Sequence, residues 1–371
     1  MGAAPHLLHV FSTFVPAGPQ VRTAHLLEAF GTEFRHSIVA MDGRLEARDL
    51  IDPALDVTYL EPPPKAGSLR TIPRMRALVR RAAPDLVLTY NFGAVDTALA
   101  LRVLGGPPLV HHEDGFRPDE IGGLKRRRTW LRRVALGSAA AVVVISENLH
   151  RIAGEVWRLD PARLHLIPNG IEAARFEAAD GNPALRAELG IPADAVLVGA
   201  VGHLRPEKNV ARLLLAAAEV EGLHVLVLGE GPERAALETL ASSPALAGRV
   251  HFAGYHADPR GHYRALDAFA LSSDTEQMPI ALLEAMASSL PVVATEVGDV
   301  RAILPPEQAE HIVPLGERCG AEFARGLADL AGAPRARARL GAANRARLLE
   351  RFTKERMVRA YRELYRRALQ R

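Results

Sequence analysis

Short apolar runs alternate along this chain with segments whose apolar positions recur at helical spacing. HLLHVFS (6–12), HSIVAMD (36–42), DVTYLE (56–61), LVLTYN (86–91), PPLVHHEDG (107–115) and AAAVVVISE (139–147) predict strands, and RLHLIPNGI (163–171) follows them. Between them, VRTAHLLEAFG (21–31), LRTIPRMRALVRRAAPD (69–85) and VDTALALRVLG (95–105) read as helices. The alternation then starts again. AVLVGAVG (195–202), LHVLVLGEG (223–231), RVHFAGY (249–255), ALSS (270–273) and PVVATEV (291–297) predict strands. NVARLLLAAAEV (209–220), PERAALETLAS (232–242), RGHYRALDAF (260–269) and residues 280–289 predict helices. Strands that alternate with helices and carry unbroken Val/Leu/Ile runs belong to parallel sheets covered on both faces. The restart after EAADGNPALRAELGIPADA marks a linker, so two Rossmann-like domains are expected, 1–171 and 172–354. The last stretch, to residue 371, places Met357, Val358, Tyr361, Leu364, Tyr365 and Leu369 on one helical stripe. In sheets of this kind ligands bind beyond the C-terminal ends of the strands. A two-domain version would hold its ligand in a central cleft faced by both sheets.

Composition narrows the function. The 371 residues suffice for two domains, and 48% apolar with 24% charged residues is ordinary for a globular chain. A net charge of +3 and 5% aromatic residues fall short of a nucleic-acid binder, so no nucleic-acid partner is expected. One cysteine, Cys319, excludes a disulfide framework and a cysteine-based zinc site and points to a reducing, cytoplasmic setting. The N-terminus lacks the charged start and long apolar core of a signal peptide, and no apolar run is long enough to span a membrane.

Chemistry concentrates where strands give way to helices. In TEQMPIALLEAMASSLPVVATEVGDV (275–300) two acids, Glu276 and Glu284, flank a helix start at Pro279. The missing N–H of proline costs nothing in a first turn. The amides of Ile280 and Ala281 would then be donors at a helix N-terminus, where anions bind. Taken alone, the two acids read equally well as a solvated Glu276 and a locally paired Glu284. In VGHLRPEKN (201–209) a strand ends at Gly202, and Arg205 and Lys208 precede a helix. Two cations there suit a diphosphate, although most such residues are simply solvated. Gly18, between Pro16 and Pro19, offers a close backbone approach just before a helix, and GEGPER (229–234) is a second strand-to-helix glycine turn. His111, His112, Glu113 and Asp114 end a strand. Adjacent histidines on a strand point to opposite faces, which favours hydrogen bonding to a polar ligand, or one buried and one capping histidine, over a metal. The basic run KRRRTWLRR (125–133), with Trp130 inside it, reads equally as a solvated helix face and as a surface for anionic lipid headgroups or an anionic acceptor.

In this order and spacing, EQMPIALLEAMASSLPVVAT, VGHLRPEKN, GEGPER, HFAGY and IPNGI resemble the retaining glycosyltransferases of family 4, over nearly the whole chain. The resemblance implies a GT-B fold and transfer of a sugar from a nucleotide donor, a UDP- or GDP-sugar, to a glycan or lipid-linked acceptor. It implies no metal and no separate cofactor. Arg205 and Lys208 would hold the donor diphosphate beside Gly202, and Glu284 the ribose hydroxyls. Glu276 would lie near the sugar, Ile280 and Ala281 would offer amides, and Gly18 would approach the diphosphate. Tyr255 would lie near the base, and Ser146 with His112 or His111 would line the sugar side of the cleft, His112 being counted with the catalytic set. A last helix, 355–371, would pack back on the first domain. Bacterial polysaccharide, lipopolysaccharide or glycolipid synthesis at the inner face of the plasma membrane would be the setting. Three positions depart from the family pattern: Pro279 where glycine is common, Pro19 after Gly18, and SSLP without a glycine before its Leu-Pro. An epimerase or hydrolase on the same fold, and a non-catalytic scaffold, are the alternative readings. A dinucleotide oxidoreductase is disfavoured, because no G-x-G-x-x-G opens a helix after the first strand.

Overall fold

A computed structural model describes residues 4–64, 67–116, 120, 123–177 and 181–371. The chain divides into two units, residues 1–169 with 357–371, and residues 170–356.

The first unit carries β1 (His6–Phe11), α1 (Gly18–Phe30), β2 (Arg35–Ala40), β3 (Val57–Leu60), α2 (Ser68–Ala82), β4 (Leu86–Tyr90), α3 (Val95–Leu104), β5 (Leu109–Glu113), α4 (Arg126–Leu136), β6 (Ala141–Val144), α5 (Glu147–Glu155) and β7 (Leu164–Leu166). Its seven strands lie in the order β3-β2-β1-β4-β5-β6-β7, with every pair parallel. Central strands of such a sheet meet helices on both faces, which is why β1 and β4 are buried from end to end apart from His6. Leu7, Phe11, Leu27, Ile38, Leu88 and Val110 form one core.

The second unit carries α6 (Pro183–Glu188), β8 (Val196–Val201), α7 (Val210–Ala218), β9 (Leu223–Leu228), α8 (Arg234–Ala241), β10 (Val250–Gly254), α9 (Arg260–Ala265), β11 (Ala268–Leu271), α10 (Ile280–Ala287), β12 (Val292–Thr295), α11 (Val300–Ile303), β13 (Ile312–Val313), α12 (Cys319–Gly332) and α13 (Pro334–Arg351). The strand order is β10-β9-β8-β11-β12-β13, again all parallel. The order reverses between β8 and β11, and between β1 and β4 in the first unit. Connections leave in opposite directions at such a point, and the strand ends stand open for a ligand.

The closing helix, α14 (Lys354–Leu369), begins from a tie to the second unit. The Ile171 amide donates to the Phe352 carbonyl at 3.0 Å, and the Lys354 amide to the Ile171 carbonyl at 2.9 Å. From Met357 onward its stripe of Met357, Val358, Tyr361, Leu364 and Tyr365 is part of the first unit's core. Arg362 and Arg366 add ion pairs to Glu33, each at 2.8 Å.

Candidate active site

The loops that follow β8, β9 and β11 are bound to one another before any ligand arrives. The Gly202 amide donates to Leu228 O and the Leu204 amide to Glu230 O, both at 2.9 Å. Gly229 sits at φ +142°, and a Cβ there would lie only 2.9 Å from the Gly202 carbonyl carbon. A side chain would therefore push the two loops apart.

The loop after β8 then presents its cations. Pro206–Lys208 forms one short turn, and Asn209 caps α7 by accepting from the Arg212 amide at 3.2 Å. Lys208 Nζ reaches Glu276 Oε1 at 2.6 Å, and Ser273 Oγ donates to the same oxygen at 2.8 Å. Ser272 Oγ donates to the Lys208 carbonyl at 3.2 Å. Arg212 donates to the Ser272 carbonyl and pairs with Asp274, each at 2.6 Å. Lys208 and Glu276, 68 residues apart, are thus fixed together at the mouth between β8 and β11. Arg205 keeps about half its surface exposed (52%), with Glu207 at 3.9 Å. Tyr255, beyond β10, is 73% exposed.

Pro279 is the N-cap of α10 and brings no side-chain cap. The Leu282 and Leu283 amides donate to the Pro279 carbonyl. Ile280 and Ala281 stand ahead of that ladder, in the first turn where amides lack intrahelical partners. Glu284 lies one turn further on. The Tyr263 hydroxyl donates to Glu284 Oε2 at 2.9 Å and to the Ala281 carbonyl at 3.1 Å. Burial pushes the Glu284 carboxyl up to about 7, against the lowering effect of the Tyr263 hydrogen bond. Glu276 and Glu284 therefore have different partners, Lys208 for one and Tyr263 for the other. Gly298, at φ +52°, leaves no room for a side chain beside the Glu276 and Gln277 carbonyls, so the turn before α11 lies close against the loop that carries Glu276.

In the first unit several expectations need correction. Gly18 is the first residue of α1 rather than part of a loop before it, and the Val21 amide already donates to the Ala17 carbonyl at 2.9 Å. Nothing lies within 4 Å of a Cβ built there, so the backbone is openly approachable. His112 was expected to line the sugar side of the site and is instead sheet interior. Its Nδ1 meets the Thr89 carbonyl at 3.2 Å, its Nε2 meets the Tyr365 hydroxyl at 2.8 Å, and its ring stacks on Tyr90 at 4.5 Å. His111 is equally buried, with Nδ1 at 2.9 Å from Thr89 Oγ1 and Nε2 at 3.6 Å from Glu113. The physical reason is the doubly covered sheet: alternation sends the two rings into two cores, not one into solvent. Neither histidine offers a ring edge to a sugar. The Ser146 hydroxyl accepts from the Leu149 amide at 3.1 Å as the N-cap of α5.

The basic run also divides. Arg132 is fully buried, 2.9 Å from Glu113 and 3.4 Å from Glu120, with its guanidinium over the rings of Phe92 and Trp157 at 4.9 Å each. Arg128 pairs with Glu120 at 3.0 Å. Arg126, Arg127, Arg133 and Trp130 (61%) are exposed. A second buried pair, Arg22 with Asp114, joins α1 to the end of β5, and Arg22 also donates to Asn169 at 3.1 Å.

Residues 195–332 match the model described as glycosyl transferases group 1, and residues 17–170 that of the glycosyl transferase 4-like domain. The chain belongs to the group 1 glycosyltransferases. This glycosyltransferase is 26% identical to the lipopolysaccharide core biosynthesis glycosyltransferase LpsE of Rhizobium meliloti (strain 1021), over 78% of each chain. It is 31% identical to a GDP-mannose-dependent alpha-mannosyltransferase of Mycobacterium tuberculosis (strain CDC 1551 / Oshkosh), over 66% of this chain and 64% of that one. Among solved structures it resembles Anabaena Alr3699/HepE in complex with UDP, with a TM-score of 0.83 at 19% identity over 97% of this chain and 98% of that one. It also resembles WaaG, a glycosyltransferase involved in lipopolysaccharide biosynthesis, at 0.75 and 16% over 96% and 99%. The fold of this glycosyltransferase is GT-B.

Proposed function

We propose that this glycosyltransferase takes a sugar from a UDP- or GDP-sugar, retains its anomeric configuration, and passes it to a glycan or lipid-linked acceptor of a bacterial envelope polysaccharide or glycolipid. The observation that carries the reading is the Lys208–Glu276 contact at the reversal of strand order, beside the uncapped start of α10. Breaking a glycosidic phosphate bond builds positive charge on the sugar and negative charge on the departing diphosphate. Lys208, Arg205 and the first amides of α10 are the groups that would neutralise the diphosphate. Glu276, already paired with Lys208, fixes where that ammonium points. Glu284, as a carboxylate, would accept from both ribose hydroxyls. These cations and amides supply the leaving-group charge compensation that a metal supplies elsewhere, so no metal is assigned to the reaction. His112 and His111 are left out of the chemistry.

The exposed face of α4 supports peripheral attachment to the cytoplasmic side of a membrane. Trp130 with Arg126, Arg127 and Arg133 combines an amphipathic ring with cations for anionic headgroups. Among the described residues no helix is long and apolar enough to cross a membrane. A thermal-shift screen of UDP-, GDP-, ADP- and CMP-sugars, with and without EDTA, tests the donor reading. One nucleotide class should raise the melting temperature, equally with EDTA. Hydrolysis of that donor with no transfer to any acceptor lipid or glycan would favour a hydrolase, and no shift with any donor would favour a scaffold.

A further inference from the structure

The pair formed by Tyr263 and Glu284 is built for more than packing. Tyr263 is fully buried on α9, held edge-on by Phe176 at 5.8 Å and against Phe269 at 6.0 Å. Its hydroxyl crosses to α10 and divides its donation between Glu284 Oε2 and the Ala281 carbonyl. The rings of Phe176 and Phe269 pack against the Tyr263 ring from two sides. The carboxyl is therefore given one fixed donor on one oxygen.

We propose that Tyr263 is a positioning residue that holds Glu284 ionised and aimed, so that the donor's ribose hydroxyls meet a carboxylate. This rests on the reading of Glu284 as the ribose-binding acid. A protonated Glu284 would offer a donor where the ribose diol also offers donors, and one of its two acceptor oxygens would be lost. Burial works toward that protonated form and raises the carboxyl to about 7, so the charge is in balance at neutral pH. That value already includes the lowering by the Tyr263 hydroxyl, without which the carboxyl would stand higher and be protonated at neutral pH. The hydroxyl has little freedom to ionise in exchange: burial, and then the charge of Glu284, push it well above the ordinary tyrosine range.

Tyr263→Phe keeps the ring and removes only the hydroxyl. Binding of UDP and of GDP to wild type and variant is measured by calorimetry from pH 6 to 9. A neutral hydrogen bond to a charged group lost without other change moves the carboxyl by about one pH unit or more. The variant should then bind the preferred nucleotide about fivefold more weakly at pH 7 and within about twofold of wild type at pH 9. Nucleotide-free protein gives a second readout. A carboxyl raised on folding contributes stability that is full below its unfolded value and is lost as pH rises through its folded value. In Tyr263→Phe the upper limit of that loss should move up by about one pH unit. Unchanged pH midpoints in both measurements would overturn the proposal and leave Tyr263 as packing alone. A shifted stability midpoint in a protein that binds neither nucleotide would instead overturn the donor reading and reduce the pair to a structural one.

Discussion

Gly298→Ala tests whether the Glu276 loop is held by contact with the turn before α11. At φ +52° the backbone is left-handed, which costs an alanine about 1 kcal/mol. The new Cβ would also lie 2.7 Å from the Glu276 carbonyl carbon and 3.0 Å from the Gln277 oxygen. Ordinary carbon contacts begin near about 3.5 Å, so the loop must retreat by roughly 1 Å. Overpacking of that kind adds about 1–3 kcal/mol, which brings the total to about 2–4 kcal/mol. Gly222→Ala is the control. It shares a left-handed φ of +69° and has nothing within 4 Å of its Cβ, so only the conformational part applies. At roughly 2–4 °C per kcal/mol, Gly222→Ala should melt about 2–4 °C lower and Gly298→Ala about 4–16 °C lower. Calorimetric melting reads the stability, and nucleotide titration reads the site. Because the retreating backbone carries Glu276 away from Lys208, Gly298→Ala should also lose about tenfold in nucleotide affinity, while Gly222→Ala should not. Equal melting temperatures and equal affinities for the two variants would refute the argument.

Arg132→Ala would leave Glu113 charged and buried without its guanidinium partner, while Glu120 keeps Arg128, a loss of about 3–5 kcal/mol that should lower the melting temperature by about 10 °C. Acid should destabilise the same unit early. Burial lowers His36 to about 4, and burial also holds His9 and His112 well below the ordinary histidine range. These rings fold neutral, so their contribution is full above about pH 6.5 and is lost as pH falls toward 4; for His36 alone about 2 kcal/mol of it should be gone between pH 7.5 and pH 5, read from urea denaturation at the two values. Substituting Trp130 with Ala together with Arg126 and Arg127 with Gln should abolish cosedimentation with anionic vesicles and leave nucleotide binding within about twofold, because all three are exposed residues of the first unit and the proposed nucleotide-binding residues Arg205, Lys208 and Glu284 belong to the second.

Much of the fold was legible because buried parallel strands announce themselves as unbroken apolar runs. LHVLVL and LVLTY needed no context to be read as strands. Residues 319–351 were not assigned, and they form α12 and α13. PRARARLGAANRARLLER alternates Arg with Ala through most of its length, so no continuous apolar stripe marks its buried side, which is Leu340, Gly341, Asn344 and Leu348. The candidate site was legible where chemistry sits next to a chain punctuator, as with Lys208 after β8 and Glu284 after Pro279. It was not legible where a contact is made across the fold. Tyr263 lies in an unremarkable RGHYRA, and its partner is 21 residues away. His112 entered the site through the family resemblance alone, and the doubly covered sheet expected from the apolar runs already gave its ring a buried alternative, the one it takes beside Tyr90 and Tyr365. Arg132 did leave a signal. With Arg128, Ala135 and Leu136 it falls on one helical stripe, the one that turns out to be inward at Arg132, Ala135 and Leu136.

The central claim is that the second unit grips a nucleoside diphosphate through Lys208. Its most direct test is titration calorimetry of UDP and GDP into wild type and Lys208→Ala, in EDTA. The account predicts saturable binding of one nucleotide to wild type, at least about tenfold weaker in the variant, with melting temperature unchanged. Equal affinity in the two proteins would contradict it.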